Sequence, residues 1–151
     1  MLVELLSEKR VLLGVTPVDK LALLTAIADM FADDDPSLSA AAVLQVLVAR
    51  ERLASTGAGS GVAIPHGRLG SLSSMRAVLA IVPQGVEFDA IDGDPVTLAV
   101  AILGPLDQPS AHLKALARVS RTVRDESVRS ALLASQSADE ALAILRQHSA
   151  R

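Results

Sequence analysis

Two nearly unbroken aliphatic stretches, Met75 to Val82 and Val96 to Leu103, dominate the hydrophobic pattern of the chain. They lack the alternation of a strand with one wet face, as expected of strands covered on both sides. Val43, Leu44, Leu47 and Val48 instead recur at i, i+1, i+4 and i+5, predicting a helix from about Leu38 to Leu53 with Ser37 or Ser39 as its cap. Thr16-Pro17-Val18-Asp19 resembles a capping box with proline in the first helical position, so an earlier helix is expected from there to about Phe31. Asp33-Asp34-Asp35-Pro36 would end it as a solvated acidic turn. Val11 to Leu13 and Val62 to Ile64 read as short strands, the second ending where Pro65 biases its predecessor toward extended geometry. Val86-Glu87-Phe88 suggests a short edge strand, with a turn at Asp92-Gly93. Three helices are expected afterwards, near Ser110 to Val123, Asp125 to Ser135 and Ala138 to His148. Strands mixed with flanking helices, without repeat or interdomain linker, predict a single α/β domain over residues 1–151, a mixed β-sheet sandwiched by helices.

Composition narrows the function. The chain has 151 residues, half of them hydrophobic, with two Phe and no Trp or Tyr, so its core must be aliphatic. A formal charge of −3 and the lack of aromatic platforms argue against nucleic-acid binding. Glu4 and Glu8 interrupt the first residues, and no apolar stretch approaches the roughly 20 residues of a membrane span. With no cysteine, the expectation is a cytoplasmic protein without membrane insertion.

The chemistry concentrates between Arg50 and Gly67. There Arg50-Glu51-Arg52 precedes Ser55-Thr56-Gly57-Ala58-Gly59-Ser60-Gly61-Val62-Ala63-Ile64-Pro65-His66-Gly67. Most imidazoles carry a free nitrogen lone pair at neutral pH, so His66 is competent as a nucleophile without an activating base. Gly57, Gly59, Gly61 and Gly67, with Ser55 and Thr56, could form a nest of backbone N–H groups for an anion beside it. The dinucleotide and Walker A fingerprints do not fit, because a strand and a proline follow the glycines and no Gly-Lys-Ser/Thr is present. Arg50, near the end of its helix, reads from its position alone as a solvated cation complementing the helix dipole, with a guanidinium that is a permanent fork-shaped donor. His112 opens a later amphipathic helix. His148 reads as tail. No ligand spacing such as H-E-x-x-H is present, so no metal and no cofactor are expected.

This string resembles the active-site signature of the type-2 IIA domains of the bacterial phosphotransferase system. That group includes fructose, mannitol and nitrogen-regulatory IIA proteins, and the Arg-Glu-Arg-Leu-x-Ser-Thr-Gly run is most similar to the nitrogen-regulatory class. Phe88-Asp89-Ala90-Ile91-Asp92-Gly93-Asp94-Pro95-Val96 and His112-Leu113-x-x-Leu116-Ala117 extend the match in order. The resemblance implies that His66 accepts a phosphoryl group from a phosphohistidine on an HPr-type or NPr-type carrier, with Arg50 and His112 beside it. It also implies a downstream partner, either a IIB domain in sugar uptake or a regulatory target. The chain departs from the family pattern at Ala54, where glycine is frequent, at Ala58, where a larger aliphatic is common, and at Gly104-Pro105, where bulk is expected. Leu53, Val62 and Leu69 are candidates for a carrier-docking patch. A histidine-dependent hydrolase would instead need a carboxylate orienting His66 and a nucleophile such as Ser55.

Overall fold

The computed structural model describes residues 2–149. Its sheet is built around a long antiparallel pair, β5 (Arg76–Val86) and β6 (Val96–Pro105), whose aliphatic runs alternate between two separate cores. Val78, Ala80, Val82, Ala99, Ala101 and Leu103 face one layer, and Ala77, Leu79, Ile81, Leu98, Val100 and Ile102 face the other. Both faces being covered, alternation is invisible in the sequence although the period of two is present in space. β1 (Val11–Leu12) runs parallel to β5 on one side. On the other, β3 (Val62–Ala63) and β4 (His66–Leu69) lie end to end, both parallel to β6, and β2 (Gly57–Gly59) pairs antiparallel with β3. The result is a mixed sheet between helical layers, as the sequence predicts.

The first layer holds α1 (Lys20–Asp34) and α2 (Ala40–Leu53), which bury Leu23, Leu24, Ile27, Phe31, Val43 and Leu47. The second holds α3 (Pro109–Arg124), α4 (Glu126–Ala134) and α5 (Ala138–Ser149), joined by Leu2 and Leu6 of the N-terminal segment. His148, read as tail, belongs to the last turn of α5, with Nδ1 3.8 Å from the Asp125 carboxylate.

Several local expectations change. The first helix starts at Lys20 rather than at Pro17, because the Asp19 carboxylate is the cap and accepts from the Ala22 N–H at 2.8 Å. Ser39 caps α2, while Ser37 donates to Asp35 instead. The acidic triplet is not merely solvated, for Asp34 pairs with Arg10 and Asp35 with Arg76, tying the end of α1 to the sheet. Val86 pairs with Val96 as the continuation of β5, and Phe88 is buried in the first core, so no separate edge strand forms there. The Asp92-Gly93 turn is present, with the Gly93 N–H bonded to the Ala90 carbonyl at 2.9 Å.

Candidate active site around His66

Pro65 separates β3 from β4 because it has no N–H to continue the ladder, yet its carbonyl accepts from Ile102 N–H at 2.9 Å. His66 is thereby fixed as the first residue of β4, opposite Ile102 and on the side of the sheet covered by α3. Its Nδ1 lies 2.7 Å from the Ile64 carbonyl, an oxygen that can only accept, so Nδ1 carries the proton and Nε2 the lone pair. The Arg50 Nε–H donates to that Nε2 at 3.2 Å, and Arg50 Nη1 donates to the Ala54 carbonyl at 2.8 Å at the end of α2. Burial lowers the His66 pKa below its ordinary value and Arg50 pushes the same way, against the Ile64 hydrogen bond. The imidazole is therefore neutral at pH 7, with one nitrogen lone pair held toward a guanidinium.

His112 approaches from α3, its ring centroid 5.6 Å from that of His66. It is only 7% exposed, and its buried Nδ1 has no hydrogen-bond partner among the described residues. Burial first, then His66 and Arg68, pushes its pKa down to about 4. A histidine protonated more readily in the unfolded chain, near pH 6.5, than in the fold makes unfolding take up protons, so stability rises with pH between about 4 and 6.5. It is complete above that window and lost as the pH falls through it. Acidification from pH 7 to 4 should therefore cost on the order of 2 kcal/mol at this residue. Urea unfolding across that range should show a shallower pH dependence in His112→Gln.

The two histidines, Arg50, Arg68, Val46, Gly67, Pro109, Leu113 and Leu116 enclose an open cleft of about 360 Å³. Arg68 is a cation the sequence reading missed; its Nη1 donates to the Leu106 carbonyl at 3.1 Å. Position two after the key histidine, on the same strand, was the signal available.

The glycine-rich stretch does not cradle this cleft. Apart from Gly67, none of its candidate anion-binding residues lines it. Gly57, Gly59 and Gly61 build the β2–β3 hairpin, whose two-residue turn at Ser60 and Gly61 has φ of 57° and 77°, the primed geometry that hairpins prefer. Ser55 Oγ donates to the Phe88 carbonyl, and Thr56 gives both its N–H and its hydroxyl to Glu51, at 2.9 and 2.6 Å. Glu51, 9% exposed, also accepts from Lys20 at 3.1 Å. Burial pushes its carboxyl up, but the hydrogen bonds from Thr56 and Lys20 help outweigh this and hold it below the usual range. Glu51 thus fastens α1, α2 and the hairpin together one residue from Arg50. His66 meets a backbone carbonyl rather than a carboxylate, and Ser55 is bonded elsewhere, so the hydrolase arrangement is not assembled.

Residues 4–148 match the family described as "Phosphoenolpyruvate-dependent sugar phosphotransferase system, EIIA 2". The chain belongs to this family. A protein of Bradyrhizobium diazoefficiens named nitrogen regulatory protein is 40% identical over 104 residues, 69% of this chain and 68% of that protein. Its namesake in Pseudomonas aeruginosa is 35% identical over 136 residues, covering 90% and 88%. The crystal structure of the nitrogen regulatory protein IIA-Ntr from Neisseria meningitidis superposes with a TM-score of 0.88 at 34% identity, covering 95% of this chain and 97% of that one.

Of the residues that depart from the family pattern in this EIIA member, Gly104 has a local explanation. A Cβ on Gly104 of β6 would stand 2.8 Å from His112 Nδ1, so the small residue makes room for the imidazole that bulk would displace. Ala54 adopts φ −171°, extended backbone open to any residue. Ala58 is exposed at the hairpin, and nothing around it explains its size. Of the candidate docking residues, Val62 is core and Leu69 packs against the first core, leaving Leu53 exposed.

Gly67 has a clear steric duty. A Cβ there would fall 2.1 Å from Val46 Cγ1, so its absence lets α2 lie close enough to β4 for Arg50 to reach His66. Gly67→Ala should cost about 1–3 kcal/mol through overpacking. Val46→Ala in the same chain should recover part of it, and urea midpoints unchanged by Gly67→Ala would contradict this packing.

Proposed function

We propose that the protein is a phosphocarrier that accepts a phosphoryl group on His66 Nε2 from an HPr-type or NPr-type carrier and serves as a nitrogen-regulatory switch. The observation that carries this reading is the neutral His66, with Nδ1 tied to Ile64 and Nε2 held toward Arg50 in an open cleft. In the transfer, the Nε2 lone pair forms the new N–P bond while the bond from phosphorus to the donor imidazole breaks. The electron pair of that bond returns to the donor ring, and the proton stays on His66 Nδ1, donated to the Ile64 carbonyl. As the lone pair is used, the Arg50 Nε–H turns from it to the phosphoryl oxygens, where a guanidinium fork fits. Phosphoryl transfer through a loose transition state needs mainly positioning and charge stabilisation, which the cleft supplies with Arg50, Arg68 and the two histidines.

Family membership supports the phosphoryl chemistry, and the relatives named nitrogen regulatory protein favour a regulatory over a sugar-uptake role. In this reading the chain works as one domain in the cytoplasm, and its output is a change of affinity for a regulatory partner. No described helix is long and apolar enough to cross a membrane. The test is intact-mass analysis after incubation with phosphoenolpyruvate, enzyme I and an HPr-type or NPr-type carrier. A single acid-labile phosphoryl group is expected; acid-stable labelling, or none from either carrier, would refute the proposal.

A further inference from the structure

The acidic chain leaves its third helix strongly basic. Three cations of the first helical layer and the sheet are neutralised: Arg10 pairs with Asp34, Lys20 with Glu51 and Asp89, and Arg76 with Asp35. On α3, by contrast, Lys114, Arg118 and Arg121 are exposed and pair with no carboxylate among the described residues. Their i, i+4, i+7 spacing places all three on one helix face. Glu4 lines a small cavity beside Lys114 and Arg118 at the outer flank. On the inner flank, Leu113, Ser120 and Arg124 follow one another along the ridge facing β3 and β4. Leu113 lines the His66 cleft, while Ser120 and Arg124 line a neighbouring polar pocket with Arg129, Ser60 and Ile64. The Ile64 carbonyl holds His66 Nδ1, so the two depressions adjoin along α3.

We infer that this face of α3, with the groove beside it, docks an acidic segment of a partner protein, and that a phosphoryl group on His66 weakens that docking. The inference rests on the phosphocarrier reading for its second half. Charge complementarity selects the occupant: unpaired cations extend about 15 Å along the helix from Lys114 to Arg124. A protein segment fits better than nucleic acid, because Leu113, 68% exposed, offers an apolar anchor among the cations. The rest of the chain is net acidic and lacks stacking aromatics. A phosphoryl group adds roughly 1.5 to 2 negative charges at neutral pH. Placed in the adjoining cleft, it would partly cancel the field that attracts carboxylates and occupy the Arg68 side of the groove.

The probe is a fluorescein-labelled synthetic peptide of repeated Glu-Glu-Leu triplets, titrated into the full chain and followed by anisotropy. An oligothymidylate of equal charge serves as competitor. Binding of the peptide, weakened about tenfold in Arg118→Glu/Arg121→Glu and reduced by added salt, is the expected result for a charged rim contact. Each sample is checked by intact mass, so that the phosphorylated arm is read only on modified protein; there the peptide should bind several-fold more weakly. Equal binding by the charge-reversed variant, no binding at all, or stronger binding of the oligothymidylate would overturn the docking face. Unchanged binding after verified phosphorylation would overturn its control by His66. If no phosphoryl group is accepted, the phosphocarrier reading fails by the mass measurement, while the unmodified protein still decides the docking face.

Discussion

His66→Ala should abolish acid-labile phosphorylation while leaving the urea midpoint close to that of the parent protein. The expected loss is complete because, in the proposed transfer, the imidazole supplies the atom to which phosphorus bonds. His112 is the nearest alternative, but its ring is largely buried with a pKa depressed to about 4 and its Nδ1 enclosed under Gly104. Stability should hardly change, since the ring is only partly buried and its hydrogen bonds are to a carbonyl two residues away and to the part-buried Arg50 guanidinium. Labelling that persists in the variant, located by peptide mapping at His112, would move the acceptor assignment.

Arg50→Ala should slow transfer by about 10²–10³-fold, the usual cost of removing one preorganised donor from developing charge. The effect should fall on the rate at saturating carrier more than on carrier affinity, because in the proposed transfer Arg50, which donates to His66 Nε2, turns to the phosphoryl group there. A second consequence separates this role from that of a helix-terminal cation. Without the guanidinium beside it, the His66 pKa should rise, since Arg50 is one of the influences holding it down. Titration of the His66 ring protons by NMR would reveal that shift, and Arg50→Lys should restore the charge without the fork. Rates equal to the parent protein in Arg50→Ala would return the residue to a C-terminal helix cation.

The site was legible where its cause is local. A histidine directly after an X-Pro step at a strand end carries its own geometry, and Pro65 does fix His66 at the start of β4. Arg50 and His112 required the resemblance, because the helix and strand that bring them together are distant in sequence. Glu51 and Lys20 are hidden for the same reason: nothing in Arg-Glu-Arg tells which charge is buried, and Glu51 is defined by Thr56 and Lys20, whereas Arg68, two residues after His66 on one strand, carries a local signal. The glycines fit two readings in the sequence, because a primed hairpin turn and an anion nest make the same demand on backbone conformation. Thr16-Pro17 matched a helix start, but the Asp19 carboxylate reached an orphan N–H first. The acidic triplet looked solvated because Arg10 and Arg76, its partners, come from other elements. Fold class survived these local errors, since the apolar runs of β5 and β6 and the three terminal helices depend on overall burial rather than on any one cap.

The sheet separates two hydrophobic cores, and the residues around His66 come from both sides: Arg50 from α2, and His112 from α3. The cleft is therefore a gauge of how the two helical layers are registered against each other. A cavity opened deep in either layer, far from any charge, would be felt there as a change in the distance between guanidinium and imidazole. Phosphorylation kinetics would thus report small slips between the layers well before the cooperative unfolding that spectroscopy detects.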